Sequence, residues 1–165
     1  MTLIRELFAN IDAVLLWSLV ATGLMTIILQ GSQSFGLSRL SLPYLFGTVA
    51  TSNRRWAVLL GYGFYTVGGS LFALLYFLIF ASIGDATWWL GAVMGALHGL
   101  ALLTMLTVAP QLHPRIASEY DPPVATRRLE PPGFLGLNYG PRTPLTTMLG
   151  QVVYGAVLGG FLPVG

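Results

Sequence analysis

Residues 59–83 read LLGYGFYTVGGSLFALLYFLIFASI, without one charged side chain. A helix needs about 20 mainly apolar residues to cross the hydrocarbon core of a bilayer, because lipid offers no partner to an open backbone N–H or C=O. This stretch, extended back to Ala57, meets that demand and decides the fold class. Three further stretches meet it too, so spans are predicted at 13–29, 57–83, 87–109 and 144–162. Asp12 is placed to cap the first span and Pro110 to close the third, while Thr143 and Pro144 open the fourth in the cap-then-proline order of helix starts. The expectation is one all-α membrane domain over residues 1–165, an integral membrane four-helix bundle.

Composition agrees with that frame. Of the 165 residues 55% are hydrophobic and 8% are charged, and the mean hydropathy is +0.73. A soluble domain carries about a quarter charged residues, so that class is excluded. With no cysteine, disulfides, thiolate metal sites, iron–sulfur clusters and a cysteine nucleophile are excluded as well. All eight basic residues are arginine, and the net charge is only +2; nucleic-acid binding would need a basic patch on a soluble surface. No GxSxG elbow, P-loop or HExxH motif occurs, and the glycines of GYGFYTVGG (61–69) lie inside an uncharged span, where they read as packing.

The arginines set the orientation. Arg39, Arg54, Arg55, Arg115, Arg127, Arg128 and Arg142 fall on the side of the 1–2 and 3–4 connections, and only Arg5 on the other. Basic loops stay in the cytoplasm, so both termini are expected on the non-cytoplasmic side of a bacterial inner membrane. An arginine-, glycine- and alanine-rich chain without lysine also suits a GC-rich bacterial genome. MTLIRELFANID (1–12) lacks the build of a secretory signal and reads as a short amphipathic lead-in that is retained.

The 2–3 turn around Gly84 and Asp85 is so short that its spans are antiparallel neighbours, and Trp88 and Trp89 follow where an aromatic belt belongs. Segment 31–56, GSQSFGLSRLSLPYLFGTVATSNRRW, mixes apolar residues with serines and ends in Arg54, Arg55 and Trp56, the pattern of an interfacial or re-entrant element after the first span. Eight of the ten prolines fall between Pro110 and Pro144, so loop 110–143 is expected to be an extended, turn-rich cytoplasmic lid. Its polar residues come in two bunches, His113, Arg115, Glu119, Tyr120 and Asp121, then Asn138, Tyr139 and Arg142. With Arg39, Arg54, Arg55, Trp88 and Trp89, the residues His113, Arg115, Glu119 and Arg142 are the candidates for contact with lipid or a partner.

Within the spans small residues recur at helical spacing: Gly61, Gly68 and Gly69 on the second, Gly91, Gly95 and Gly99 on the third, Gly155 and Gly159 on the fourth. Glycines four apart share a face and let two backbones meet, so spans two, three and four are expected to pack tightly, with span one outside them. The one ionisable side chain deep in a span is His98, in GALHGL (95–100). A neutral imidazole hydrogen-bonded to Tyr65, Thr66, Gln151 or Tyr154 is one reading of it, and a ligand site is the other. Bis-histidine haem is disfavoured, since His113 lies about 22 Å further along the same helix direction at 1.5 Å per residue. No cofactor is required by the sequence; a chlorophyll-like pigment held by His98 as its single ligand, or a haem with His98 and another axial partner, is the remaining option. Proton-coupled transport is disfavoured because Asp12 and Asp85 lie at span ends rather than mid-membrane.

The order ATGLMT (21–26), LSLPYLFGT (40–48), FALLYFLIF (72–80), WWLGAVMGALHGL (88–100), HPR (113–115) and YGAVLGG (154–160) resembles the uncharacterised bacterial four-span membrane proteins known only as domains of unknown function. The resemblance implies the four-span topology and brings no activity with it. In that family spans two and four carry a histidine where this chain has Tyr65 and Gln151, a departure that puts a metal or haem role in question here.

The functional expectation is a non-catalytic accessory or scaffold subunit of a larger respiratory or photosynthetic membrane complex, touching lipids and other integral membrane subunits. Two alternatives stand beside it. One is a small carrier or a lipid-, quinone- or pigment-binding protein using a pocket around His98, Tyr65 and Gln151. The other is an interfacial lipid-modifying enzyme built on His113, Arg115, Glu119 and Asp121.

Overall fold

The computed structural model describes residues 2–117 and 129–164. Among them the regular structure is helical: α1 (Thr2–Ala9), α2 (Ile11–Ser34), α3 (Leu42–Ala50), α4 (Arg54–Ile83), α5 (Trp88–Leu112), a 3-10 turn (Phe134–Tyr139) and α6 (Thr143–Phe161). Three helices, α2, α4 and α5, are long and apolar enough to cross a membrane. The thirty residues of α4 span about 45 Å at 1.5 Å per residue, more than a hydrocarbon core requires.

Several helix ends differ from the expected ones for local reasons. α4 starts at Arg54 rather than 57 because the side chain of Asn53 accepts hydrogen bonds from the N–H groups of Arg55 and Trp56, at 3.0 and 3.2 Å, satisfying donors that have no intrahelical partner. It stops at Ile83, where Gly84 turns left-handed with φ +74° and its N–H reaches the Phe80 carbonyl at 2.8 Å, a conformation that side chains resist. α2 begins at Ile11, so Asp12 lies inside the first turn and complements the helix dipole rather than capping it. Pro110 does not close α5, which runs two residues further to Leu112; the proline removes one N–H, and the His113 N–H still bonds the Ala109 carbonyl at 2.8 Å.

The chain divides into two compact units, one of residues Met1–Ile28, Thr66–His98 and Met148–Gly165, the other of Leu29–Tyr65 and Gly99–Thr147. In the first, α5 and α6 meet backbone to backbone. A Cβ placed on Gly91 would strike the Gly155 carbonyl, one on Gly95 the Gln151 carbonyl, one on Gly155 the Gly91 carbonyl, and one on Gly159 the Thr87 carbonyl. α5 and α6 thus meet along these glycines. α4 uses its glycines differently, since Gly69 faces the Thr22 hydroxyl of α2 while Gly68 has open space around it. The first span is not the outer helix expected from its few glycines. Val14, Ser18 and Ala21 are fully buried, the Ser18 and Ser70 hydroxyls share a 3.0 Å hydrogen bond, and Trp17 stacks on Phe161 with ring centroids 4.2 Å apart. The most apolar window of α2 is 28% buried against 22% for α4 and α5. On α1, Ile4 and Phe8 lie four residues apart and both face outward, as a helix lying on a membrane surface would present them.

In the second unit the segment read as interfacial contains α3, capped by Ser41, whose side chain accepts from the Tyr44 N–H. Leu42, Pro43, Leu45, Gly47 and Thr48 are buried. Gly47 abuts the Ala57 carbonyl and Gly61 the Pro43 carbonyl, so Gly61 is a packing glycine whose neighbour is α3 rather than another span. The loop expected to be extended and turn-rich holds one bridge and one 3-10 turn among its described residues. Ile116 and Leu129 form an isolated parallel bridge, and residues 134–139 wind into the 3-10 turn, where Leu135 adopts φ +51° and donates its N–H to the Thr107 hydroxyl at 3.2 Å. The Thr143 hydroxyl is buried against that of Ser38, 2.8 Å away, at the start of α6.

Candidate functional site

In the second unit, His113 stands one residue beyond α5 with its side chain buried. Its Nδ1 lies 3.1 Å from the Arg115 backbone nitrogen. A peptide N–H can only donate, so Nδ1 is the acceptor and Nε2 carries the proton. Nε2 then donates to the Leu45 carbonyl at 3.0 Å, with the Thr48 hydroxyl 3.3 Å away. The arrangement requires a neutral imidazole, and burial lowers the His113 pKa from its ordinary value, aided by the Arg115 cation and opposed by the Leu45 carbonyl.

Arg115 completes the clamp. Its Nη1 donates to the carbonyls of Thr48 and Val49, the latter at 2.8 Å. Both belong to the last turn of α3, where carbonyls lack helical partners and positive charge is favoured. One histidine and one arginine therefore fasten α3 from its C-terminal end.

A second fastening involves Arg39, which forms a bidentate ion pair with Glu130 at 2.9 and 3.1 Å and whose backbone N–H donates to the Tyr139 carbonyl at 2.7 Å. The Tyr139 hydroxyl donates to the Glu130 carbonyl at 2.7 Å. Burial foremost, then the Glu130 charge, pushes the Tyr139 pKa up to about 12, against the opposing effect of Arg39. Both nitrogens of His113, the carboxylate of Glu130 and the hydroxyl of Tyr139 thus each hold a partner within the fold.

In the first unit His98 lies in an aromatic setting, its ring centroid 4.1 Å from that of Phe72 and 6.2 Å from those of Tyr76 and Tyr154. These rings surround the imidazole on several sides. The Tyr154 hydroxyl donates to the Gly69 carbonyl at 2.6 Å, and the buried Nδ1 of His98 has no hydrogen-bond partner among the described residues. Gln151 is buried, its Oε1 likewise unpartnered among them. Tyr65 is buried in the other unit, where its ring lies 6.4 Å from that of Phe46.

No family model, curated protein or solved structure matches the chain. That is consistent with its resemblance to an uncharacterised family, and the chemistry must be argued from its own residues.

The other predicted contact residues fare differently. Trp88 and Trp89 are exposed, as an aromatic belt demands. Arg54, Arg55 and Arg142 are exposed as well, Gly99 is buried, and Glu119 lies outside the described residues, with Tyr120, Asp121, Arg127 and Arg128. The sequence reading missed Glu130, Thr48 and Asn53. A cap signal was legible for Asn53, the last polar residue before a long helix; nothing local linked Glu130 to Arg39, 91 residues away.

Proposed function

We propose that the chain is a non-catalytic scaffold subunit of a larger membrane complex, respiratory or photosynthetic, with α6 as a fourth span and both termini on the non-cytoplasmic side. The observation that carries this reading is the commitment of the polar loop residues. His113, Arg115, Arg39 and Glu130 fasten backbone carbonyls and one another, while Phe35, Val49, Trp56, Leu112 and Phe134 of the same unit point outward. A unit in which His113, Arg115, Arg39 and Glu130 are engaged with its own backbone and with one another, and whose large apolar groups are presented outward, suits contact with lipid and with another apolar protein face. The backbone contact of α5 and α6 supplies the stiffness that such a subunit needs.

The test is extraction of the protein from its own membranes in mild detergent, followed by size exclusion with visible absorption and identification of the proteins that co-elute. The expected result is a fixed stoichiometry with integral membrane proteins, lost when Leu112 and Phe134 are replaced by serine, with absorption reporting whether the assembly holds pigment or haem. Elution as an isolated, colourless monomer overturns the proposal.

The unpartnered Nδ1 of His98 favours a second reading, a small carrier or a lipid-, quinone- or pigment-binding protein that uses this imidazole as hydrogen-bond acceptor or ligand. Under it His98→Ala abolishes binding, whereas a scaffold loses only a ring contact. The interfacial-enzyme reading finds less support, since His113 and Arg115 are already engaged.

A further inference from the structure

Among the described residues of the second unit the one acid is Glu130, and it is taken by Arg39. Among these residues Arg54 therefore has no carboxylate to meet, and no side-chain or backbone acceptor engages its guanidinium. It opens onto a cavity of about 450 Å³ lined by Gln30, Gln33, Ser41, Tyr44, Arg54, Val58 and Tyr62. The hydroxyls there are turned toward donation. Tyr62 already accepts from the Gln30 amide at 3.1 Å, and Ser41 from the Tyr44 N–H at 3.4 Å, so each still has its own proton to give; the Tyr44 hydroxyl has no partner among the described residues. A cavity with a free guanidinium, three hydroxyl donors and no carboxylate is built for an anion with several oxygens. The start of α4 is not what draws the anion, because Asn53 already occupies the N–H groups of Arg55 and Trp56.

The surroundings say which kind of anion. Arg54 and Val58 also line an adjoining shallow, open surface with Arg55 and Leu59, where apolar atoms predominate. A polar recess that continues into an apolar track matches an amphiphile rather than a small free ion. We propose that Arg54, Ser41, Tyr44 and Tyr62 hold the phosphate of an anionic phospholipid whose acyl chain runs along Val58 and Leu59. Arg54 supplies the charge, and the tyrosines and serine fix the phosphate oxygens. The inference rests on the chain lying in a membrane and not on membership of a complex, so an isolated monomer with this lipid preference, or a complex without it, separates the two proposals.

A tryptophan placed at Leu59, which lines the apolar track beside Arg54, is the reporter. Protein carrying Leu59→Trp, with Trp17, Trp56, Trp88 and Trp89 changed to phenylalanine, is placed in phosphatidylcholine bilayers, and brominated phosphatidylglycerol or brominated phosphatidylcholine is added in steps while its emission is recorded. Half-quenching is expected at a mole fraction about fivefold lower for the anionic lipid, the effect of one arginine near a charged surface. Arg54→Gln should remove that preference, Tyr62→Phe should reduce it about threefold through one lost hydrogen bond, and Arg142→Gln, outside the cavity, should leave it. Equal quenching by the two lipids, or a preference that survives both Arg54→Gln and Tyr62→Phe, overturns the assignment. Inorganic phosphate added to the same single-tryptophan protein tells the sources apart: loss of the preference at millimolar phosphate means that the site takes free phosphate, and the lipid assignment fails.

Discussion

The two units of this molecule are held by different physics. In the first, Gly91 and Gly95 lie against Gly155, Gln151 and Gly159 with no side chain between the backbones, so cohesion comes from close-range dispersion and weak hydrogen bonds. In the second, α3 is fastened by His113 and Arg115 and the 3-10 turn by Arg39, Glu130 and Tyr139, through hydrogen bonds to carbonyls and one ion pair. The first kind of contact has no charge to titrate or screen and no tolerance for added volume. The second tolerates volume and answers to pH and salt. Three of the few charged residues, Arg39, Arg115 and Glu130, serve to fasten α3 and the 3-10 turn, while the helix pair is left to glycine.

The largest test of this contrast is Gly91→Val. Its side chain would have to displace backbone, and overpacking of this kind costs about 3 kcal/mol, read as a lower midpoint in detergent-induced unfolding. Gly68→Ala, where a Cβ meets nothing, should leave the midpoint in place; equal effects of the two would mean that the glycines serve helix flexibility rather than contact. Next in size, Arg115→Met removes two bonds to α3 carbonyls and should cost about 2 kcal/mol, with faster amide exchange confined to the α3 region. Spread of the faster exchange into residues 88–98 would break the distinction between the units.

Acidification is the third test. Because the folded pKa of His113 is lowered from the ordinary 6.5, folded and unfolded chains hold the same number of protons above that value and no penalty arises there. As pH falls below it the unfolded imidazole protonates first, so stability drops until the folded pKa is passed. Amide exchange at α3, corrected for its intrinsic pH dependence, should therefore quicken on acidification, and His113→Gln should flatten the response. The smallest effect belongs to Arg39→Ala. The pair it breaks is 66% and 46% exposed at its two side chains, so the loss should stay below about 1 kcal/mol and shrink further at high salt.

The helices were legible because lipid imposes length and apolarity on a sequence directly. Residues 57–83 and 87–109 announced themselves by the absence of charge, and the α5–α6 contact by glycines four apart. Boundaries were less legible where a single atom decides them: Asn53 moved the start of α4 to Arg54, and Pro110 failed to stop α5 because one missing N–H does not prevent another turn. The burial of α2 was hidden since serine, alanine and valine pack closely without any glycine motif. In the candidate site, His113 and Arg115 were singled out as reactive or docking residues, but their partners are the main-chain carbonyls of Leu45, Thr48 and Val49, which no residue type reveals.

The sequence by itself determined that this chain is helical, that it holds stretches long and apolar enough to cross a membrane, and that most of its arginines gather in two stretches outside them, because hydropathy and charge depend on composition along the chain. Tertiary structure alone decided what those arginines do. Arg115 ends on carbonyls, Arg39 on a carboxylate 91 residues away, and Arg54 on a cavity. The physical reason is that a guanidinium's role is set by whichever acceptors the fold brings within about 3 Å, and such acceptors come from segments that are distant in sequence.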